Sequence, residues 1–255
     1  MGNNTEKPTT NIVQRTFQKA LLSQQSVALR NLERLRRVHP DKSPQEMLTY
    51  VNKWYVGAVA ASGAGAGAAA AVPNLVGQGA AAALDFAGFL EASVLYVYTA
   101  AELSGVHPED LESKRLLVSA VLLGQSATGV LEKVIGKVAP HWGKQLIGPK
   151  VLSREVIKQI NKVMGPRFLT IYGTKTGVLV VGKQVPVMIG AAIGGAGNAL
   201  FATGIIKSAK KVFGPTQAAW PVVEAPKRKY TRKVTEQPVE QPNSEKLASD
   251  ESEGN

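Results

Sequence analysis

Residues 186–214 read PVMIGAAIGGAGNALFATGIIKSAKKVFG. Whether this stretch crosses a bilayer, lies against one or packs inside a helical bundle decides the fold. From Val185 to Ile206 it carries no charge and nine strongly apolar residues: Val185, Val187, Met188, Ile189, Ile193, Leu200, Phe201, Ile205 and Ile206. At about −0.3 to −0.6 kcal/mol each, these favour insertion by about −3 to −5 kcal/mol. Gln184, Pro186 and Asn198 oppose it, so the balance lies near zero and hydropathy does not decide. Spacing says more. Gly190 and Gly194 share one helical face, and Gly197 continues it. A face without side-chain ridges admits a second backbone at short range.

A natural partner lies upstream. Tyr55 to Leu84 is a run of 30 residues without charge, long enough to span a bilayer. Its strong aliphatics are only Val56, Val59, Val72, Leu75, Val76 and Leu84, which together favour insertion by about −2 to −4 kcal/mol. Pro73 and Asn74 interrupt the run. Gly63 and Gly67 make a small-xxx-small face. The two small-residue helices are expected to pack together at the centre of an all-α domain, with Asn198 bonding across the pair or to a backbone carbonyl.

Composition supports that class. Hydrophobic residues make up 44% of the 255-residue chain but aromatics only 6%, so the apolar content is mostly small side chains suited to close helix packing. There is no cysteine, which excludes disulfides and thiolate metal sites. The start, MGNNTEKPTT, is polar and shows no signal peptide. Glu6 stands where myristoylation wants Ser or Thr. The expected location is therefore cytoplasmic, at the inner face of the cell membrane, and not secreted.

The helices can be placed from punctuation and period. Residues 10–37 are amphipathic, with Val13, Phe17, Leu21, Ala28, Leu32 and Leu35 on one side and Arg30, Arg34 and Arg37 as a basic stripe. His39-Pro40-Asp41 is similar to the tripeptide of J-domain co-chaperones, but punctuation explains it better. Pro40 ends the first helix, and Ser43-Pro44-Gln45-Glu46 opens the next as a capping box with proline at the first helical position. A third helix runs from Gly77 to Gly105 and carries Asp85, Glu91 and Glu102 among apolar neighbours. Those carboxylates either pair with basic residues or sit at the rim, or else line a polar cleft. After His107-Pro108-Glu109-Asp110, whose acids suit a helix start, Leu116 to Leu123 is apolar all round and reads as buried. Gly124-Gln125-Ser126 is placed to kink that helix. HWGKQLIGPK reads as a loop anchored by Trp142, and VLSREVIKQINKVMG as a short helix from near Ser153. FLTIYGTKTGVLVVGKQV fits a strand or a helix; helix is favoured because no partner strand is present.

Charge is unevenly spread. The net charge is +11, yet residues 55–113 hold six acids and no Lys or Arg, while residues 114–183 hold twelve basic residues and two acids. Either these blocks face each other in the fold, or the basic one forms a surface for anionic lipid or nucleic acid. Lys207, Lys210 and Lys211 add charge at the end of the glycine-rich helix. Lys227, Arg228, Lys229, Arg232 and Lys233 form a basic box in a Pro-, Glu- and Ser-rich tail. Three organisational units are expected: a disordered stretch 1–9, a helical domain 10–214 and a disordered tail 215–255.

Catalytic patterns are missing. His39, His107 and His141 are far apart, none with a second ligand at helical spacing. The glycines of GAAIGGAGN follow no strand, as a dinucleotide site requires. No cofactor or metal is expected.

HPDKSPQEM, FLEASVLYVYTAAELSGV, HWGKQL and the closing PVMIGAAIGGAGNALFATGIIKSAKKVFG resemble the bacterial EcsC-like family in its actinobacterial form, over residues 38–214. Gly190 to Asn198 is the most specific part. The resemblance implies a hydrophobic helical protein linked to an ABC transporter that affects secretion, and it implies no catalytic residue. Ala199 and Leu200 stand where the family pattern has a basic residue after Gly-Asn. The expected function is a non-catalytic, membrane-associated accessory protein that assists an envelope or transport system, with an anionic membrane surface or a membrane protein as partner. The alternatives are a soluble helical binding module that uses its basic surface or tail, nucleic acid included, and an enzyme on an apolar substrate that uses Asp85 or Glu91.

Overall fold

The computed structural model describes residues 6–69, 75–146, 152–182 and 187–220, with side-chain surroundings for 14–64, 86–144, 152–168 and 196–220. The described residues form an all-α bundle of α1 (Glu6–Val38), α2 (Pro44–Ala69), α3 (Leu75–Leu103), α4 (Leu111–Leu123), α5 (Gln125–Ile135), α6 (Trp142–Leu146), α7 (Arg154–Gly182) and α8 (Val187–Phe213). The first helix begins at Glu6, earlier than the expected start at residue 10.

Local chemistry sets several of these ends. At α2 the capping box closes in both directions. The Ser43 backbone N–H donates to Glu46 Oε2 at 2.8 Å, and the Glu46 N–H donates to Ser43 Oγ at 3.3 Å. These bonds from Ser43, backbone first, hold the Glu46 carboxyl below its usual range. At α4 the cap is Asp110, whose Oδ1 accepts from the N–H groups of Glu112 and Ser113 at 3.0 and 3.1 Å. Gly124, at φ 59° and ψ −128°, separates α4 from α5. The apolar run therefore breaks into two helices rather than bending as one, because this left-handed φ is open to glycine.

The centre of the bundle is α3 with α4. Leu90, Val94, Val97, Ala101, Leu116, Leu117, Val118, Ala120 and Val121 are fully enclosed. This corrects the expectation that the two glycine-rich helices lie at the centre. Trp54, Gly57, Ala58 and Ala61 of α2 and Leu200, Thr203 and Gly204 of α8 face solvent, because each of these helices keeps one side away from its neighbours.

The two glycine-rich helices do pack on each other, more extensively than any other pair of described helices. Asn198 is buried, and its Nδ2 donates to the Val59 carbonyl at 3.3 Å. α8 ends, and α2 begins, at the same end of the bundle, where Thr216 Oγ1 donates to Gln45 Oε1 at 3.1 Å; the pair is antiparallel. One turn along each helix from Val59 and Asn198 brings Gly63 level with Gly194, and a further turn brings Gly67 level with Gly190. Gly63 is buried; the surroundings of Gly67, Gly190 and Gly194 lie outside the described residues. Gly197 is different. A Cβ built there meets nothing within 4 Å, so it is not part of the close seam. Gly197 is one residue, about 100° of rotation, from Asn198, which faces α2, and so lies to the side of that contact.

Aromatic side chains fasten α1 and α2 onto α3. Tyr98 Oη donates to the Leu21 carbonyl at 3.0 Å, Tyr55 and Ser93 hydroxyls lie 2.7 Å apart, and Tyr96 Oη donates to Asn52 Oδ1 at 2.8 Å. Tyr55 and Tyr96 stack at 4.4 Å between ring centroids. Burial raises all three phenols above the ordinary tyrosine range, and Tyr55 next to Tyr96 adds to the rise at Tyr96. They stay neutral donors.

Three further segments depart from the sequence reading. HWGKQL is not a loop but α6. His141 N–H donates to the Lys211 carbonyl at 3.1 Å, and Trp142 is buried. A Cβ at Gly143 would lie 2.9 Å from Val212 Cγ1 and from the Val212 carbonyl oxygen, so only glycine lets this segment reach α8. α7 continues through Pro166 to Gly182. Its buried face, Ile157, Ile160, Met164 and Phe168, keeps helical spacing across the proline, and that burial offsets the lost ladder bond, about 3 kcal/mol. Finally, residues 215–220, expected as the start of the disordered tail, are bound to the domain. Gln217 N–H donates to the Leu103 carbonyl at 3.0 Å, Trp220 Nε1 donates to the Lys42 carbonyl at 2.8 Å, and the Arg36 guanidinium sits 4.4 Å over the Trp220 ring. One tryptophan among polar residues anchors a segment that composition assigns to the tail.

Candidate functional site

Glu91 and Glu102, the described carboxylates of α3, do not share a cleft. Glu91 pairs with Lys19 of α1 at 3.4 Å, with the two side chains 35% and 75% exposed. Glu102 Oε2 lies 2.8 Å from His107 Nδ1 at the other end of the exposed part of the helix. Eleven residues separate Glu91 from Glu102, about 16 Å along the axis. Both sit at the rim, where a half-solvated carboxylate avoids the cost of burial. Asp85 falls within α3, and its surroundings lie outside the described residues. Among the described residues no group of three His, Asp or Glu side chains is placed to hold a metal. His39 packs edge-on against Tyr50, and His141 fits against Gly214, so each histidine has a local structural contact.

A polar cluster that the sequence reading missed joins α4 to α7. Asn161 is buried; its Nδ2 donates to the Glu112 carbonyl at 2.9 Å and to Glu112 Oε2 at 2.7 Å. Arg115 Nη1 donates to Glu112 Oε1 at 3.2 Å. Asp110 accepts from Ser113 Oγ at 2.6 Å. Burial opposes ionisation of Asp110, but the bonds from Ser113 and Glu112 and the nearby Arg154 outweigh it and lower its pKa. The acidic end of one charge block thus meets Arg115 and Arg154 of the next. Asn161 Oδ1 has no partner among the described residues, beside a cavity of about 170 Å³ lined by Gln14, Gln18, Arg115 and Ser119. A lone asparagine on the buried face of a helix, four residues after Ile157, was the available signal.

A larger groove lies between α1 and α2. Both helices pack on α3, and they meet each other near their connecting loop, where Leu32, Met47 and Leu103 cluster. Beside that cluster lies a cavity of about 320 Å³. Its floor is Ala92, Leu95, Tyr96 and Thr99 of α3; its walls are Asn31, Arg34 and Leu35 of α1 and Tyr50, Val51, Trp54, Tyr55 and Ala58 of α2.

The basic residues gather by topology. α1, α3 and α8 all end where α2 and α4 begin, tied by the contacts of residues 214–220. Arg30, Arg34 and Arg37 lie toward the end of α1 and Lys207, Lys210 and Lys211 toward the end of α8, and all six are exposed. None of them forms an ion pair among the described residues. The basic box, Lys227, Arg228, Lys229, Arg232 and Lys233, lies outside the described residues.

No match is found among protein-family models, curated proteins or solved structures. Among the described residues no helix is long and apolar enough to cross a membrane.

Proposed function

We propose that this protein is a non-catalytic accessory protein that attaches to an anionic membrane surface and assists an envelope or transport system. The observation that carries this reading is that Arg30, Arg34 and Arg37 toward the end of α1 and Lys207, Lys210 and Lys211 toward the end of α8 are all exposed, on helices whose ends are tied together through residues 214–220. A basic side chain near an anionic leaflet contributes about 1 kcal/mol, and the contribution decays within a Debye length, about 8 Å at physiological salt. Within α1 the spacing of Arg30, Arg34 and Arg37, and within α8 that of Lys207, Lys210 and Lys211, keeps each triplet on one side of its helix, so each presents its charges together. The resemblance to the EcsC-like family points the same way. The uncharged small-residue helices pair with each other in this reading and leave attachment to these basic residues.

Fractionation of native cells into soluble, salt-released and detergent-released pools tests it. The protein is expected in the salt-released pool, and Arg30→Glu/Arg37→Glu/Lys210→Glu should shift it to the soluble one. Recovery of the wild-type protein wholly in the soluble pool at low salt ends the reading.

A further inference from the structure

We propose that the groove between α1 and α2 is a binding site for a small anionic amphiphile, a single apolar chain with a carboxylate head, with the head at Arg34 and the chain along α3. The site goes beyond membrane attachment, since a chain that never meets a bilayer can still fill it.

Three observations carry the inference. The first is how the space is held open. α1 and α2 rest on α3 and meet at the cluster of Leu32, Met47 and Leu103, with Leu35 and Tyr50 packed against it, and every described lining residue lies on α1, α2 or α3, so the walls are helices and not a loop. The second is the lining. Leu35, Val51 and Leu95 are apolar, and Ala58 and Ala92 leave depth between the helices. The hydroxyls of Tyr55 and Tyr96 are already engaged by Ser93 and Asn52, so these stacked rings offer carbon to a ligand. Thr99 Oγ1 is likewise engaged by the Leu95 carbonyl at 2.9 Å. The third is charge. Among the described lining residues Arg34 is the only ionised side chain, and none is a carboxylate. Asn31, nearly one turn earlier on α1, adds an amide.

These features select the ligand. A cation would be repelled by Arg34. A wholly apolar molecule would leave the guanidinium without a counter-charge. A carboxylate gives it a charge-assisted hydrogen bond. The volume, about 320 Å³, is at the low end of the roughly 300–1,000 Å³ of ligand pockets, which suits one chain better than the two of a bilayer lipid. Trp54, 65% exposed, stands at the mouth, where an occupant would cover an indole now in water.

The test uses the full chain with decanoate, decylammonium and decanol, each below its micelle concentration, followed by titration calorimetry and tryptophan fluorescence. Saturable one-to-one decanoate binding is expected, with a change in the emission of Trp54 that Trp54→Phe removes. Arg34→Ala should weaken decanoate about tenfold and leave decanol unchanged. Ala58→Leu fills the groove from an exposed backbone position and should abolish decanoate binding with an unchanged melting curve. The proposal is overturned if the wild-type protein shows no saturable binding of decanoate. It is equally overturned if decylammonium binds as well as decanoate, or if Arg34→Ala and Ala58→Leu both bind decanoate as wild type does.

Discussion

Asn198 is the most informative position to perturb, because two substitutions there should have opposite outcomes. Its side chain is 2% exposed and donates to the Val59 carbonyl across the α2–α8 seam. That carbonyl lies inside α2, where the helix ladder already engages it. Asn198→Leu therefore removes one bond, about 0.5–1.5 kcal/mol net, and leaves no orphaned acceptor. A buried leucine regains about 1.5–3 kcal/mol of transfer energy, and an imperfect fit takes back about 1–3. Taken at mid-range, these sum to within about 1 kcal/mol of wild type. Asn198→Asp places a carboxylate against a carbonyl oxygen with no counter-charge, at a cost of about 3–5 kcal/mol. For a domain of this size, each kcal/mol lowers the melting temperature by about 2–4 °C. Asn198→Asp should then melt at least ~4 °C below Asn198→Leu at pH 7. The aspartate has a folded-state pKa raised by burial, so its penalty is absent below the unfolded value of about 3.9 and grows as the pH rises past it. Thermal melts of the three proteins from pH 4 to 7, followed by circular dichroism, check this. Equal melting temperatures for the two variants across that range would refute a buried Asn198 at the seam.

Truncation tests the docked segment. A chain ending after Trp220 should melt close to the full-length protein, whereas one ending after Gly214 loses the Trp220 hydrogen bond and its cation–π contact, about 2 kcal/mol or roughly 4–8 °C; equal melts for the two truncations would place residues 215–220 off the domain. Asp110→Ala should cost about 0.5–2 kcal/mol and Asp110→Asn a small fraction of that, since asparagine still caps. Because the folded-state pKa of Asp110 is lowered, its contribution is present above the unfolded value and disappears as the pH falls through the folded one, so the gap between wild type and Asp110→Ala should shrink in denaturant titrations below about pH 4. Tyr55, Tyr96 and Tyr98 have raised pKa values, so the stability they contribute is complete below about pH 10 and is lost as the pH climbs past it. Tyrosinate absorbance should show a late step coincident with unfolding, and a single smooth titration of all six tyrosines near the free-phenol value would contradict the packing of α1 and α2 on α3.

What the sequence determined by itself was local. Helical period, the Ser43–Glu46 box, the proline at 44 and the acids ahead of α4 are interactions within about four residues, and spacing alone encodes them. The pairing of α2 with α8, and Asn198 bonding a backbone carbonyl across it, reached further, because two helices rich in small residues have few other ways to pack. Tertiary structure decided the rest. Glu91 meets Lys19 and Asn161 meets Glu112 across the bundle, Trp220 reaches back to Lys42, and α1, α2 and α3 together line a groove that no single helix contains. Such contacts depend on where whole helices are placed by the core, and a side chain's own neighbours in sequence do not specify its partner on another helix.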